Sequence, residues 1–226
     1  MKMHMFRRGM IFVTFFGSCI AIALLVASLG TKHWVDAAAK RTLNPADSNG
    51  RINYGLFSGK KELNVAYGWR SYEIDVLHLL KYEPDFLIYG FWIGTVTCVC
   101  AALLFSDLAA VFAAVNAATT SSCFSGTAGL YLWNILSLLC NIGAIGLWMA
   151  QYYLKIQSNV LSLEDRDNSW TSDGMAELGY SFWFVVGAAV ANFLDIIVIH
   201  IANSDKKVDP IIPMMEEKTN GAIMLY

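Results

Sequence analysis

Four stretches of the chain run with almost no polar interruption: Met10 to Leu29, Phe86 to about Val115, Thr127 to about Tyr152, and Leu178 to about Ala202. A helix needs about 20 apolar residues to cross a hydrocarbon core of ~30 Å, and each stretch has that length. Between the first and second stretches the pattern changes period. From Ile52 to Trp69, "INYGLFSGKKELNVAYGW", apolar and polar residues alternate. Ile52, Tyr54 and Leu56 fall on one face, Ser58-Gly59-Lys60-Lys61 has the composition of a turn, and Leu63, Val65, Tyr67 and Trp69 alternate again. This predicts a β-hairpin with one apolar face. A two-stranded hairpin alone is marginal in water, so that face must cover helix ends or further strands, and "KHWVDAAAK", Lys32 to Lys40, offers one. Ile74, Leu77 and Leu80 then recur at helical spacing before Pro84, which predicts a short amphipathic helix leading into the second stretch.

Composition agrees with lipid as the solvent. Of the 226 residues, 56% are hydrophobic and 15% charged, where a soluble domain carries about a quarter charged. From Phe86 to Leu154 the only acidic or basic side chain is Asp107. The expected fold is therefore an integral membrane, mainly α, four-helix bundle with a small extracellular antiparallel β-sheet, in one tetraspan domain over residues 1–226. The spans are placed at 10–29, 86–115, 127–152 and 178–202, with outer loops at 31–85 and 155–177 and a tail at 203–226. A cleaved signal is the rival for the first span, because Arg7 and Arg8 precede it and Ser28 and Gly30 are small residues at cleavage spacing. Its apolar run exceeds the roughly 7–15 residues of a signal core, which favours a span. Lys2, Arg7 and Arg8 on one side are nearly balanced by Lys32, Lys40 and Arg41 on the other. The basic cluster abutting the span tips the orientation towards a cytosolic N-terminus, and an even number of spans returns the C-terminus to the cytosol.

Few residues offer chemistry. Asp107 and Asp195 are intramembrane acids, which the sequence places in the cytosolic third of their helices, and Asn192 shares a face with Asp195. His4, His33, His78 and His200 are scattered, with no metal-ligand spacing. No cofactor is expected. Gly-x-Ser-x-Gly, phosphate-binding glycine loops and dinucleotide fingerprints are lacking, so the sequence predicts no enzyme. A net charge of -2 with no block of like charges argues against nucleic acid. A transporter has little to build with, since no inverted repeat or proline-broken helix pair is evident. Gly90-x-x-x-Gly94 is a candidate helix contact, with internal packing favoured over a dimer, and Cys123 in the inner loop is a candidate for palmitoylation. At the C-terminus, Met224, Leu225 and Tyr226 fit an apolar-x-apolar pattern read by one class of PDZ domain; an apolar tail touching the lipid surface would use the same side chains.

The order of motifs carries a resemblance. Trp34 early in the first outer loop and Tyr54-Gly55-Leu56-Phe57 later in it resemble the claudin-type tetraspan superfamily. Within it the chain is similar to the clarin family, through Tyr54 to Gly59, Gly126 to Asn134, Gly179 to Trp183 and the end Gly221 to Tyr226. The resemblance implies a non-enzymatic membrane organiser or scaffold of sensory cells, at the plasma membrane, tied to hair-bundle or synapse organisation in hearing and vision. An auxiliary subunit of an ion channel is the alternative, and a small-solute transporter a weaker one. Besides the lipid bilayer, the partners implied are a PDZ-domain scaffold or an ion channel. Two departures stand out. The cysteine pair of the claudin outer loop is missing, since Cys19, Cys98, Cys100, Cys123 and Cys140 all lie in spans or the inner loop, and no outer Asn-x-Ser/Thr sequon occurs.

Overall fold

The computed structural model describes residues 2–43, 48–64, 68–83, 86–118 and 127–204. Four helices in it are long and apolar enough to cross a membrane, at Arg8–Gly30, Tyr89–Ala118, Ala128–Ile156 and Tyr180–Ser204. They belong to α1 (Lys2–Gly30), α3 (Tyr89–Ala118), α4 (Thr127–Gln151), which widens into a π turn at Tyr152–Ile156, and α6 (Tyr180–Ser204). Helix α1 packs on α6 and α3, and α4 packs on α3 and α6, so the four close into a ring. Lipid supplies no hydrophobic drive between helices, so close approach of small residues has to. The buried stripe of α3 answers that need with Thr95, Ala102, Ser106, Ala109, Ala110 and Ala113. Gly94 lies against Leu147 of α4, which makes it an internal contact, whereas Gly90 faces open space.

On one side of the bundle sits a six-stranded sheet, in the order β4-β3-β2-β1-β5 with β6 also on β1. Its strands are β1 (Val35–Arg41), β2 (Gly50–Tyr54), β3 (Ser58–Asn64), β4 (Trp69–Asp75), β5 (Trp170–Thr171) and β6 (Ala176–Leu178). All pairings are antiparallel. Strands β5 and β6 come from the loop between α4 and α6, so both outer loops build one sheet. Two short helices complete this side, α2 (Val76–Tyr82) and α5 (Leu163–Asp167).

The expected hairpin exists, but its turn is misplaced in the sequence reading. Ser58 to Lys61 lie inside β3, and the chain instead reverses over Gly55, Leu56 and Phe57, closed by the Gly55 N–H on the Ser58 carbonyl at 2.9 Å. The cause is packing. Leu56 is fully buried, and a Cβ on Gly55 would strike the Thr31 carbonyl, so the reversal is where the strand pair presses on the end of α1. The second run of alternation also divides: β3 ends at Asn64, β4 begins at Trp69, and Val65 to Tyr67 lie outside the described residues. Trp69, expected on the covered face, is 55% exposed because β4 is the outer edge of the sheet. The amphipathic helix starts later than its apolar spacing suggests, because Ile74 belongs to β4 and Asp75 is the N-cap of α2. One Asp75 carboxylate oxygen accepts from the N–H groups of Leu77 and His78, two of the unpaired donors of a first turn.

Candidate functional site

The motif residues Trp34, Tyr54, Gly55 and Leu56 converge where the sheet meets the helix ends. Trp34 follows α1 directly, and its indole N–H donates to the Ser28 carbonyl at 2.8 Å, satisfying an acceptor in the last turn of α1. Its backbone N–H donates to Tyr54 and its carbonyl accepts from Gly179, so the strand pair and the start of α6 hang from one residue. The ring stands edge-on to Trp148 at 4.8 Å and to Phe182 at 6.4 Å, with no exposed surface. Opposite it, the Leu56 carbonyl accepts from the Trp92 indole N–H at 2.8 Å, which fixes the turn to α3. Tyr54 is enclosed beside Phe86, and burial pushes its phenol well above the ordinary range. Phe57 differs from its motif neighbours. It is 39% exposed, with its ring edge-on to Trp92.

Polar contacts extend the junction. Ser28 donates to the Ser181 carbonyl at 2.9 Å, and Thr31 and Ser181 share a hydroxyl–hydroxyl bond at 2.6 Å, which stitches α1 to α6. Gly179 has no room for a side chain, because a Cβ there would meet the His33 carbonyl. The Lys61 ammonium pairs with Asp165 of α5, both largely covered, so the two loops are joined by charge as well as by strand pairing. Arg41 lies over the Trp170 ring at 5.4 Å. The sheet's open surface carries further pairs, Lys32 with Glu73, Lys60 with Glu62, and His33 with Asp36. The Lys32 contact draws the Glu73 carboxyl below its ordinary range, and Glu62 raises Lys60. A groove of about 410 Å³ runs past His33, Asp36, Arg51, Asn53 and Glu177, and a pocket of about 400 Å³ beside α2 is lined by Glu73, Asp75, His78, Glu83 and Glu164.

A second polar constellation lies inside the bundle. The Ser137 hydroxyl donates to the Ala102 carbonyl at 3.0 Å, so it accepts from Ser106 at 2.8 Å and from the Asn192 amide at 2.8 Å. Asn192 has twelve residues of α6 on either side, about 18 Å of helix each way, which puts this chain at mid-depth. Asp195 is nearly fully buried and accepts from Ser18 of α1 at 3.2 Å. A Cβ on Gly17 would land on its carboxylate. Asn192 and Asp195 both face inward, but towards different neighbours, α4 and α1. Asp107 follows Ser106, which bonds to Ser137 as Asn192 does, so Asp107 lies close to the level of the middle residue of α6. It points away from the bundle. An aspartate costs about 2.5–3.5 kcal/mol at the centre of a span on insertion scales, and less towards its ends.

Sequence reasoning missed Ser106, Ser137 and Trp148. Hydroxyls inside spans are common, and only the mutual reach of 106, 137 and 192 gives them meaning. Met224, Leu225, Tyr226 and Cys123 lie outside the described residues. Among the described residues no group of three or more His, Cys, Asp or Glu is placed to hold a metal ion. The family model described as Clarin-2, Clarin-2-like, matches residues 6–199, a range that includes all four membrane-crossing stretches as far as Ile199 and every strand of the sheet. No curated protein matches the chain.

Proposed function

Because the chain belongs to the clarin family, a multi-pass membrane protein with four spans, we propose that it is a non-enzymatic organiser of the sensory-cell plasma membrane. The observation that carries this reading is the junction at Trp34. It fixes a folded sheet rigidly to the bundle through indole hydrogen bonds and ring contacts, and leaves Phe57, Trp69, Tyr72 and paired charges facing outward. Such a surface displays groups for recognition. A preformed recognition face costs less ordering on binding than a mobile loop does. The second reading, an auxiliary subunit of an ion channel, is favoured by the outward-facing acid of α3, which offers a lateral contact in the membrane.

Purification in mild detergent followed by mass spectrometry separates the two. Junctional or actin-linked scaffolds at constant stoichiometry support the organiser, and a stoichiometric channel subunit supports the auxiliary role. Conductance of the pure protein in liposomes would replace both with transport.

The orientation proposed has both termini in the cytosol and the sheet outside. Tags at residue 1 and after Tyr226 are expected to be protected in intact cells, while a tag inserted between the exposed turn residues Asp173 and Gly174 is accessible. An accessible N-terminal tag overturns this topology, and loss of that tag during maturation indicates a cleaved signal.

The tail is proposed as the scaffold tether. A PDZ groove takes an extended C-terminus as an added strand, captures its free carboxylate, and seats the last and antepenultimate side chains, here Tyr226 and Met224. Appending one glycine to a tail peptide is expected to abolish capture by a PDZ panel while leaving its partition onto lipid vesicles nearly unchanged. Equal binding with the glycine in place removes the tether from this reading.

A further inference from the structure

The outward face of α3 differs from those of the other spans. From Gly90 to Val111 its exposed positions recur at steps of three or four: Gly90, Ile93, Thr97, Cys100, Leu104, Asp107 and Val111. Helix α4 shows the same spacing at Leu132, Ile135, Leu139 and Ile142, so it is the residue types and not the spacing that set α3 apart. A Cβ on Gly90 would meet nothing within 4 Å, so the face has room for a neighbour. At the same depth the exposed residues are Phe16 and Ile20 on α1, Ile135 and Leu139 on α4, and Val190 and Phe193 on α6. Those bulky apolar side chains suit lipid. The α3 row differs in carrying Thr97, Cys100 and Asp107 among its apolar residues, and a carboxylate facing out of a span needs a partner. Among the described residues Asp107 has neither a hydrogen bond nor an ion pair, and its neighbour Ser106 bonds inward to Ser137, which ties Asp107 to mid-depth.

From this we infer that the Gly90–Val111 face of α3 docks a transmembrane helix of another membrane protein, one that carries a single lysine or arginine near its middle. Charge complementarity selects the occupant. A second copy of this chain docked through the same face would bring two Asp107 carboxylates together, whereas a basic side chain on a partner neutralises one. Thr97 and Cys100, about two to three turns before Asp107, let that helix approach α3 there, and Leu104 and Val111 flank the acid with apolar surface for it to pack on. The contact is separate from the sheet's outward surface, so failure of either leaves the other standing.

The test uses the full chain reconstituted in phosphatidylcholine vesicles, with energy transfer to a leucine-rich transmembrane peptide carrying either lysine or leucine at its centre. The lysine peptide is expected to associate about tenfold more tightly, the size of one interhelical polar contact. Asp107→Asn should reduce that preference strongly. With copper–phenanthroline added as the oxidant, a lysine peptide with a cysteine one heptad from the lysine should form a disulfide with Cys100, which lies one heptad before Asp107. Equal association of the two peptides with the unaltered protein overturns the proposal whether or not the variant folds. So does a preference that survives Asp107→Asn. A Cys100–Cys100 cross-link in vesicles holding the chain alone would give this face to a second copy and overturn it too.

Discussion

Replacing Trp34 with alanine is expected to destabilise the fold by about 3–5 kcal/mol, the range for emptying an aromatic site in a packed core. The ring is fully enclosed between Trp148 and Phe182, and its loss also leaves the Ser28 carbonyl without the indole donor. Trp34→Phe keeps most of the volume and loses the hydrogen bond, so it should fall between alanine and the native residue. Thermal unfolding in detergent micelles measures the effect, and the fraction of protein reaching the cell surface should follow the same order. Phe57→Ala is the control, since that ring is 39% exposed. A Trp34→Ala shift no larger than that of Phe57→Ala would mean that the junction does not hold the sheet to the bundle.

Gly17→Ala is expected to cost as much as a core defect, although it adds one methyl group. The added Cβ falls on the Asp195 carboxylate, which must move away from Ser18 or push α1 off α6. Removing the obstacle should remove the penalty. In the background of Asp195→Ala, the same Gly17→Ala change should cost little, with a coupling energy of about 1–3 kcal/mol between the two sites. Additive losses in this double-mutant cycle would show that Gly17 serves a purpose other than making room for the acid.

The legibility of this fold in its sequence varies with the physical constraint behind each part. Hydrocarbon thickness is a fixed length, so apolar runs report the spans directly, and the helices differ from the expected limits mainly by extra turns at their ends. Tyr54 and Leu56 stand out as apolar members of an alternating stretch and Trp34 through the resemblance, and the structure places all three in the core. The turn at Ser58 to Lys61 was misjudged because composition does not say why a glycine is there. Gly59 sits against Tyr54 across the strand pair, and the two lysines that look like turn residues answer Glu62 and Asp165. Strands β5 and β6 span two and three residues, too short for any period to show. The level of Asp107 relative to the other helices is not legible in the sequence either, because it follows from the bond between Ser106 and Ser137 across two helices.

The pairing of β1 with β6 has a consequence for biosynthesis. Val35 meets Leu178 and Ala37 meets Ala176, so the two strands are separated by about 140 residues of chain. At roughly 5–20 residues per second, a ribosome needs about 7–28 s to deliver the second after the first. Throughout that interval β1 has one edge paired with β2 and the other bare, open to pairing with another strand. A premature stop in either of the two spans made before β6, α3 or α4, therefore leaves an unsealed sheet edge as well as missing helices. Such a product is an unfinished sheet to any chaperone that meets it, a consequence of the order in which this chain is made.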